Sequence, residues 1–328
     1  MDNKTVSPSS EDCFCRNCGQ RLPSDQPGRC PYCGHTGRVT EIRFSTVVPS
    51  TPADATTKPQ DVQESTEPPI DTPFEPISIG RCVYCGNTDE LSDEHIVPYG
   101  LGGRWKLREA SCPTCRDITS NFEMDVQRRY FMMMRTTLGL PTRHPDQRPR
   151  SFDLAVDQAG RAQTLNVSAD DTPTMFIMPT FARPGYLDGN ISIRGLVLIG
   201  WSLHGRGSEL DAFRAAHPVD SVSFSAPLSV SFGRMLAKIG YCMVVHKYGL
   251  NSIEEAFVLP SILGTKDDVG CWVGCDHIDS PDLLPNESWG HRIVTMDEGN
   301  IAATRIRLFA SFKTPEYLVI VGKLRAAC

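Results

Sequence analysis

Between residues 82 and 123 the chain places Cys82-Val-Tyr-Cys85-Gly, then Glu94-His95-Ile-Val-Pro98, Gly102-Gly103, and Cys112-Pro-Thr-Cys115. Two thiolates three residues apart can grip one face of a metal ion, so the two pairs together could complete a tetrahedral Cys₄ zinc site. Closing that loop fixes the distance from the Glu-His dipeptide to whatever follows Cys115. A short segment with little apolar content can thus hold a reactive histidine still. The nearest oxygen donors after the second pair are Asp117, Asn121 and Glu123. Asp117 and Asn121 are four apart and share a face if this stretch is helical.

Apolar residues at helical spacing, Phe122, Val126, Phe131, Met134 and Leu138, predict a helix over about 119–138. Upstream, Cys15, Cys18, Cys30 and Cys33 give C-x2-C-x11-C-x2-C, the spacing of a second zinc site in a ribbon. Cys13 and His35 flank it. Residues 46–78 are rich in Pro, Thr and acids and too poor in apolar residues to fold, so they read as a mobile linker. Downstream, strands are expected at 152–156 and 163–167 as a hairpin, and at 174–178, 191–201, 305–310 and 317–321. One long helix is expected at 228–248, with Leu228, Phe232, Met235, Leu236, Ile239, Cys242 and Met243 as its buried stripe. Cys271, Cys275 and His277 do not form a usual knuckle and read as loop packing. The region contains no P-loop, no G-x-S-x-G and no H-E-x-x-H motif.

The 82–123 segment resembles the HNH endonucleases with a zinc-stapled ββα-metal core, on Cys82, Cys85, Glu94, His95, Pro98, Gly102, Gly103, Cys112 and Cys115. The resemblance implies a divalent-metal nuclease in which His95 activates a water and Glu94 helps hold one Mg²⁺ or Mn²⁺ ion. The helix after Cys115 would supply a further ligand, with Asn121 the first choice and Asp117 the second. The residue directly after the second Cys pair is Arg116, where that family usually carries Asn or His. DNA is the implied substrate. Residues 122–143 look like the continuation of one such subfamily, followed by a larger domain of unassigned role.

Net charge is −6 over 328 residues, which argues against a generally basic surface. The charge is uneven: residues 46–80 carry one Lys and six acids, whereas residues 101–150 carry ten Arg/Lys and five acids. Arg104, Lys106, Arg108 and Arg116 lie in that basic stretch and are the candidates for phosphate contacts. No apolar run approaches a membrane span, and no signal peptide opens the chain. Eight of the thirteen cysteines sit in Cys-x-x-Cys pairs, which points to zinc ligands in a reducing, cytoplasmic compartment.

The chain therefore reads as a multidomain α+β protein. The expected units are a zinc ribbon at 1–45, a linker at 46–78, an HNH-like core with its helix at 79–145, and an α+β domain with a mixed or antiparallel sheet at 146–328. The function expected is DNA phosphodiester hydrolysis, with two structural Zn²⁺ sites. The alternatives are an inactive HNH-like zinc module that binds nucleic acid or protein, and an assembly protein whose zinc sites only stabilise folds. The ribbon or the C-terminal domain is also a candidate site for a protein partner.

Overall fold

The computed structural model describes residues 77–225, 230–275 and 290–325, with the backbone of four short strands nearer the N-terminus. Three of these, β1 (Cys13–Cys15), β2 (Arg21–Leu22) and β3 (Arg38–Thr40), form an antiparallel sheet in the order β2-β1-β3. Cys15 thus closes a strand. Cys18, Cys30, Cys33 and His35 lie outside the described residues, as does nearly all of the 46–78 stretch. β4 (Arg43–Val47) extends the ordered strands two residues into the expected linker.

A ββα unit follows: β5 (Ser92–His95), β6 (Lys106–Ser111) and α1 (Pro113–Arg129). α1 opens on Cys112 as its cap with Pro113 in the first turn, where a missing N–H costs nothing. The helix expected over 119–138 starts earlier and breaks at Tyr130–Phe131, and α2 (Met132–Thr137) resumes it. Phe131 anchors the break: it is fully buried, with edge-on ring contacts to Phe176 and Phe309.

The rest of the chain is antiparallel sheet wrapped on one helix. Its first strands are β7 (Ser151–Gln158), β8 (Arg161–Ser168), β9 (Met175–Phe181) and β10 (Leu198–Gly205). α3 (Gly207–Ala216), β11 (Ser221–Ser225) and α4 (Val230–Tyr248) follow. Then come β12 (Ile253–Ala256), the short helices α5 (Leu259–Leu263) and α6 (Val269–Trp272), and β13 (Val273–Cys275). β14 (Arg292–Glu298), β15 (Ile301–Arg307) and β16 (Tyr317–Leu324) close the described chain. β9 and β10 pair alone; the other two sheets run β4-β11-β7-β8 and β12-β16-β15-β14, with β13 also on β16.

α4 is apolar on nearly every side and is buried on nearly every side. It packs on α1, β15 and β16. Gly240 lets it close on β16, because a Cβ there would stand 2.9 Å from Val319 Cγ1. One continuous buried cluster joins Cys82, Ile96, Leu107 and Phe122 of the ββα unit to Phe232, Ile239 and Val319. Among the described residues, no helix is long and apolar enough to cross a membrane.

His291 ties the two halves together. Its Nδ1 accepts the Phe309 N–H at 3.3 Å, which leaves Nε2 to donate to the Leu101 carbonyl at 2.9 Å. Burial holds its pKa down at about 4, against 6.5 for an ordinary histidine. Below pH 6.5 the unfolded chain takes up a proton that the folded chain refuses. This stabilisation is therefore complete above pH 6.5, declines as pH falls towards 4, and then levels off, for a loss of roughly 3 kcal/mol. Urea midpoints of wild type and His291→Gln should converge between pH 7 and pH 4.5; equal pH slopes in the two proteins would show that His291 does not titrate on unfolding.

Candidate active site and cysteine cluster

The two cysteine pairs come together. The Sγ atoms of Cys82, Cys85, Cys112 and Cys115 all lie within 4.8 Å of one another, an arrangement that could hold a metal ion. The first pair sits on a turn in which the Gly86 N–H returns to the Cys82 carbonyl at 2.9 Å, with Gly86 at φ +79. The second pair sits at the start of α1, where burial opposes thiolate charge and the free backbone N–H groups favour it; on balance the Cys112 thiol is held down and the Cys115 thiol is pushed up. Cys271 and Cys275 are apart from this cluster: the Cys271 thiol donates to the Ile193 carbonyl, and Cys275 Sγ accepts the Phe181 N–H. His277 lies outside the described residues.

β5 ends on the Glu-His dipeptide, and β6 fixes it from the other side, pairing Leu107 with Glu94 and Lys106 with His95. The next turn depends on its glycines. Gly102 takes φ +88, and a Cβ on Gly103 would fall 2.0 Å from the Val97 carbonyl. Alternation along β5 sends Glu94 inward and leaves His95 half-buried on the rim of a cavity of about 520 Å³. Burial, then Lys106 and Lys238, push His95 down to about 4, so at neutral pH it is a neutral acceptor. The His95 ring stands beside Tyr99, with centroids 5.7 Å apart.

The same cavity is lined by Arg116, Arg128, Arg135, Arg143 and Arg148 from α1, α2 and the loop after them. Arg135 Nε donates to the Gly100 carbonyl at 2.6 Å, and Arg148 donates to the Arg135 and Thr136 carbonyls, so these two brace the wall. Arg116 reaches Ser92 Oγ at 3.3 Å. Arg128 and Arg143 make no ion pair among the described residues. Of the other phosphate candidates, Lys106 lies 3.9 Å from Asp93, while Arg104 and Arg108 are exposed outside this cavity.

Asp117 and Asn121 do not meet Glu94. Both are exposed and outside the cavity lining. At about 100° per residue, the buried stripe Cys115, Thr119, Phe122 and Val126 turns them to the far side of α1 and puts Glu123 beside the stripe. Glu123 is the helix acid that faces the strand acid. Between them lies Lys238 of α4, fully buried, with Nζ 2.7 Å from Glu94 Oε1 and 2.8 Å from Glu123 Oε1. The same ammonium donates to the carbonyls of His95 and Ile96. Burial alone would lower the Lys238 pKa, but Glu123 and then Glu94 overcome this and hold it raised, so the ammonium is charged.

A Mg²⁺ or Mn²⁺ ion does not fit this donor set as it stands. One oxygen of each acid is ion-paired with Lys238, although Glu123 Oε1 accepts no hydrogen bond among the described residues. A divalent ion placed about 4 Å from that ammonium would meet roughly 8 kcal/mol of repulsion at an effective dielectric of 20, which its attraction to the two carboxylates must first offset. The helix residue that faces Glu94 is thus Glu123, ion-paired with Lys238, and not Asn121 or Asp117.

Residues 82–131 match the family model of the HNH endonucleases, so the chain carries an HNH-family segment there. That match ends within the break between α1 and α2 and leaves α4 outside it. No curated protein and no solved structure matches the chain.

Removing one member of a buried ion cluster leaves the others uncompensated, which typically costs about 3–5 kcal/mol. Lys238→Met should lose stability of that order in urea unfolding at pH 7. Glu94→Gln with Glu123→Gln in the same chain should recover much of it. A loss under about 1 kcal/mol, as for an exposed pair, would contradict the buried geometry.

Proposed function

We propose that the protein is an HNH-type endonuclease that hydrolyses DNA phosphodiester bonds with His95 as general base. The observation that carries this reading is a neutral, half-buried His95 on the rim of an arginine-lined cavity, inside the segment that matches the endonuclease family. In this reading His95 takes a proton from a water aligned with the scissile phosphate; the water oxygen bonds to phosphorus as the bond to the leaving sugar oxygen breaks, and that oxygen takes a proton from solvent. A base with a pKa near 4 is weak, but an entering phosphate anion raises it. Arg116, Arg128 and Arg143 neutralise the phosphate as negative charge builds on it. No step is assigned to Mg²⁺ or Mn²⁺, because Lys238 already engages both acids.

Zinc is the metal proposed for Cys82, Cys85, Cys112 and Cys115, since four thiolates at this spacing suit it best. A second zinc is proposed for Cys15, Cys18, Cys30 and Cys33. Thiol ligands and buried free thiols suit a reducing compartment, so a cytoplasmic setting is proposed with them.

His95→Ala should slow cleavage of plasmid DNA by about 10²–10⁴-fold while leaving DNA affinity and bound zinc unchanged. Arg128→Glu with Arg143→Glu should instead weaken binding and flatten its salt dependence. The test is plasmid nicking by purified protein, run with and without added divalent ions. DNA binding with no nicking in any of these conditions would replace the enzyme with a non-catalytic binding module.

A further inference from the structure

Glu94 and Glu123 come from different elements, and neither has an acid-neutralising partner within the HNH segment. Their common partner comes from α4, more than a hundred residues on. Lys238 is the more deeply buried of the three: it has no exposed side-chain surface, against 7% for Glu94 and 15% for Glu123. Both acids line the cavity and the lysine does not, so the ammonium backs the acids from the protein side. The ammonium also donates to the His95 and Ile96 carbonyls, its three hydrogens being shared among four partner groups, which ties it to the backbone that carries the base. A surface lysine that strays between two acids would not be buried, nor would it be bonded to the strand as well.

We propose that the Lys238 ammonium is the resident cation of this site. It supplies the positive charge that lets the strand acid and the helix acid share one place, so the site is held together without a divalent ion, and α4 is part of it. The proposal concerns the same cavity as the nuclease reading and rests on that reading for its catalytic consequence. Its binding consequence stands apart from it.

Three features support a resident cation over a bystander. The contacts are short and to both acids. The acid reached on α1 is the one beside the buried stripe, so α1 is turned to present it to α4. Also, α4 itself offers Lys238 no counter-charge where it faces the ββα unit: its other contacts there are Arg234, whose guanidinium lies 4.8 Å from the centre of the Phe122 ring, Tyr241, whose hydroxyl donates to the Val83 carbonyl at 2.6 Å, and Cys242, which lies against the Tyr84 hydroxyl. A charge kept in such a face needs specific partners, and Lys238 has four.

The experiment is a Mn²⁺ titration of the full-length, zinc-loaded protein, followed by the electron paramagnetic resonance of free Mn²⁺. Wild type should show no site that Glu94→Gln or Glu123→Gln abolishes, up to about 1 mM Mn²⁺. Folded Lys238→Met should gain at least about tenfold in Mn²⁺ affinity as two acids lose their cation, and adding Glu123→Gln should remove the gain. A wild-type Mn²⁺ site lost in Glu94→Gln overturns the proposal, and so does a folded Lys238→Met chain with no gain. If Lys238→Met does not fold, the comparison of wild type with the two Gln variants decides alone. Plasmid nicking by wild type in divalent-free buffer agrees with the proposal, and nicking that appears only with Mg²⁺ overturns it. Absence of nicking in every condition removes the nuclease reading, and the Mn²⁺ titration still judges the lysine.

Discussion

One desolvated ammonium organises this molecule. A lysine carried to the middle of a buried helix is stable only if the surrounding chain supplies acceptors in the right directions. The carbonyls of His95 and Ile96 accept its hydrogen bonds, and Glu94 and Glu123 supply the opposing charge at 2.7 and 2.8 Å. Meeting that requirement fixes how α4 sits against β5 and α1, which face of α1 turns inward, and where the backbone under His95 lies. The apolar cluster supplies most of the stabilisation, but apolar contact is non-directional and tolerates sliding. The ion cluster does not, so it sets the register between the two halves.

The cysteine cluster acts on the same unit from the opposite end. It holds the turn at 82–86 against the start of α1 and so sets the pitch of that helix relative to β5 and β6. Tyr241 and Cys242 then press α4 onto that turn. The ββα unit is thus clamped at its thiolate end by a site that could hold metal and at its acid end by a lysine. His95 sits between the clamps, held from below through its own carbonyl and left open on its ring side.

Much of this was legible in the sequence. The cysteine pairs, the Glu-His dipeptide and the Gly-Gly turn stand within one window, and their chemistry is local enough to read from spacing. The long helix at 230–248 and the hairpin around residue 160 were likewise plain from periodicity and turn residues. The helix acid was not, because donor type and their shared face point to Asn121 and Asp117, whereas the face that Phe122 and Val126 bury selects Glu123. That face was readable. Lys238 also left a trace, as a lone charge inside the stripe Met235, Leu236, Ile239 and Cys242. Its partners lie 144 and 115 positions away, beyond any local pattern. The break at Tyr130–Phe131 had no sequence signal either, since it follows from Phe131 being drawn among Phe176 and Phe309 by tertiary packing.

The order of residues along the chain has a consequence for synthesis. Glu94, His95 and Glu123 leave the ribosome well before Lys238, by 115 residues counted from Glu123. At about 5–20 residues per second that interval is roughly 6–23 s. Throughout it the nascent HNH segment holds its acids without their cation and lacks the helix that buries its inner face. The site can close only once α4 has emerged, so the chain delivers its base into working geometry late, when most of the protein has already been made.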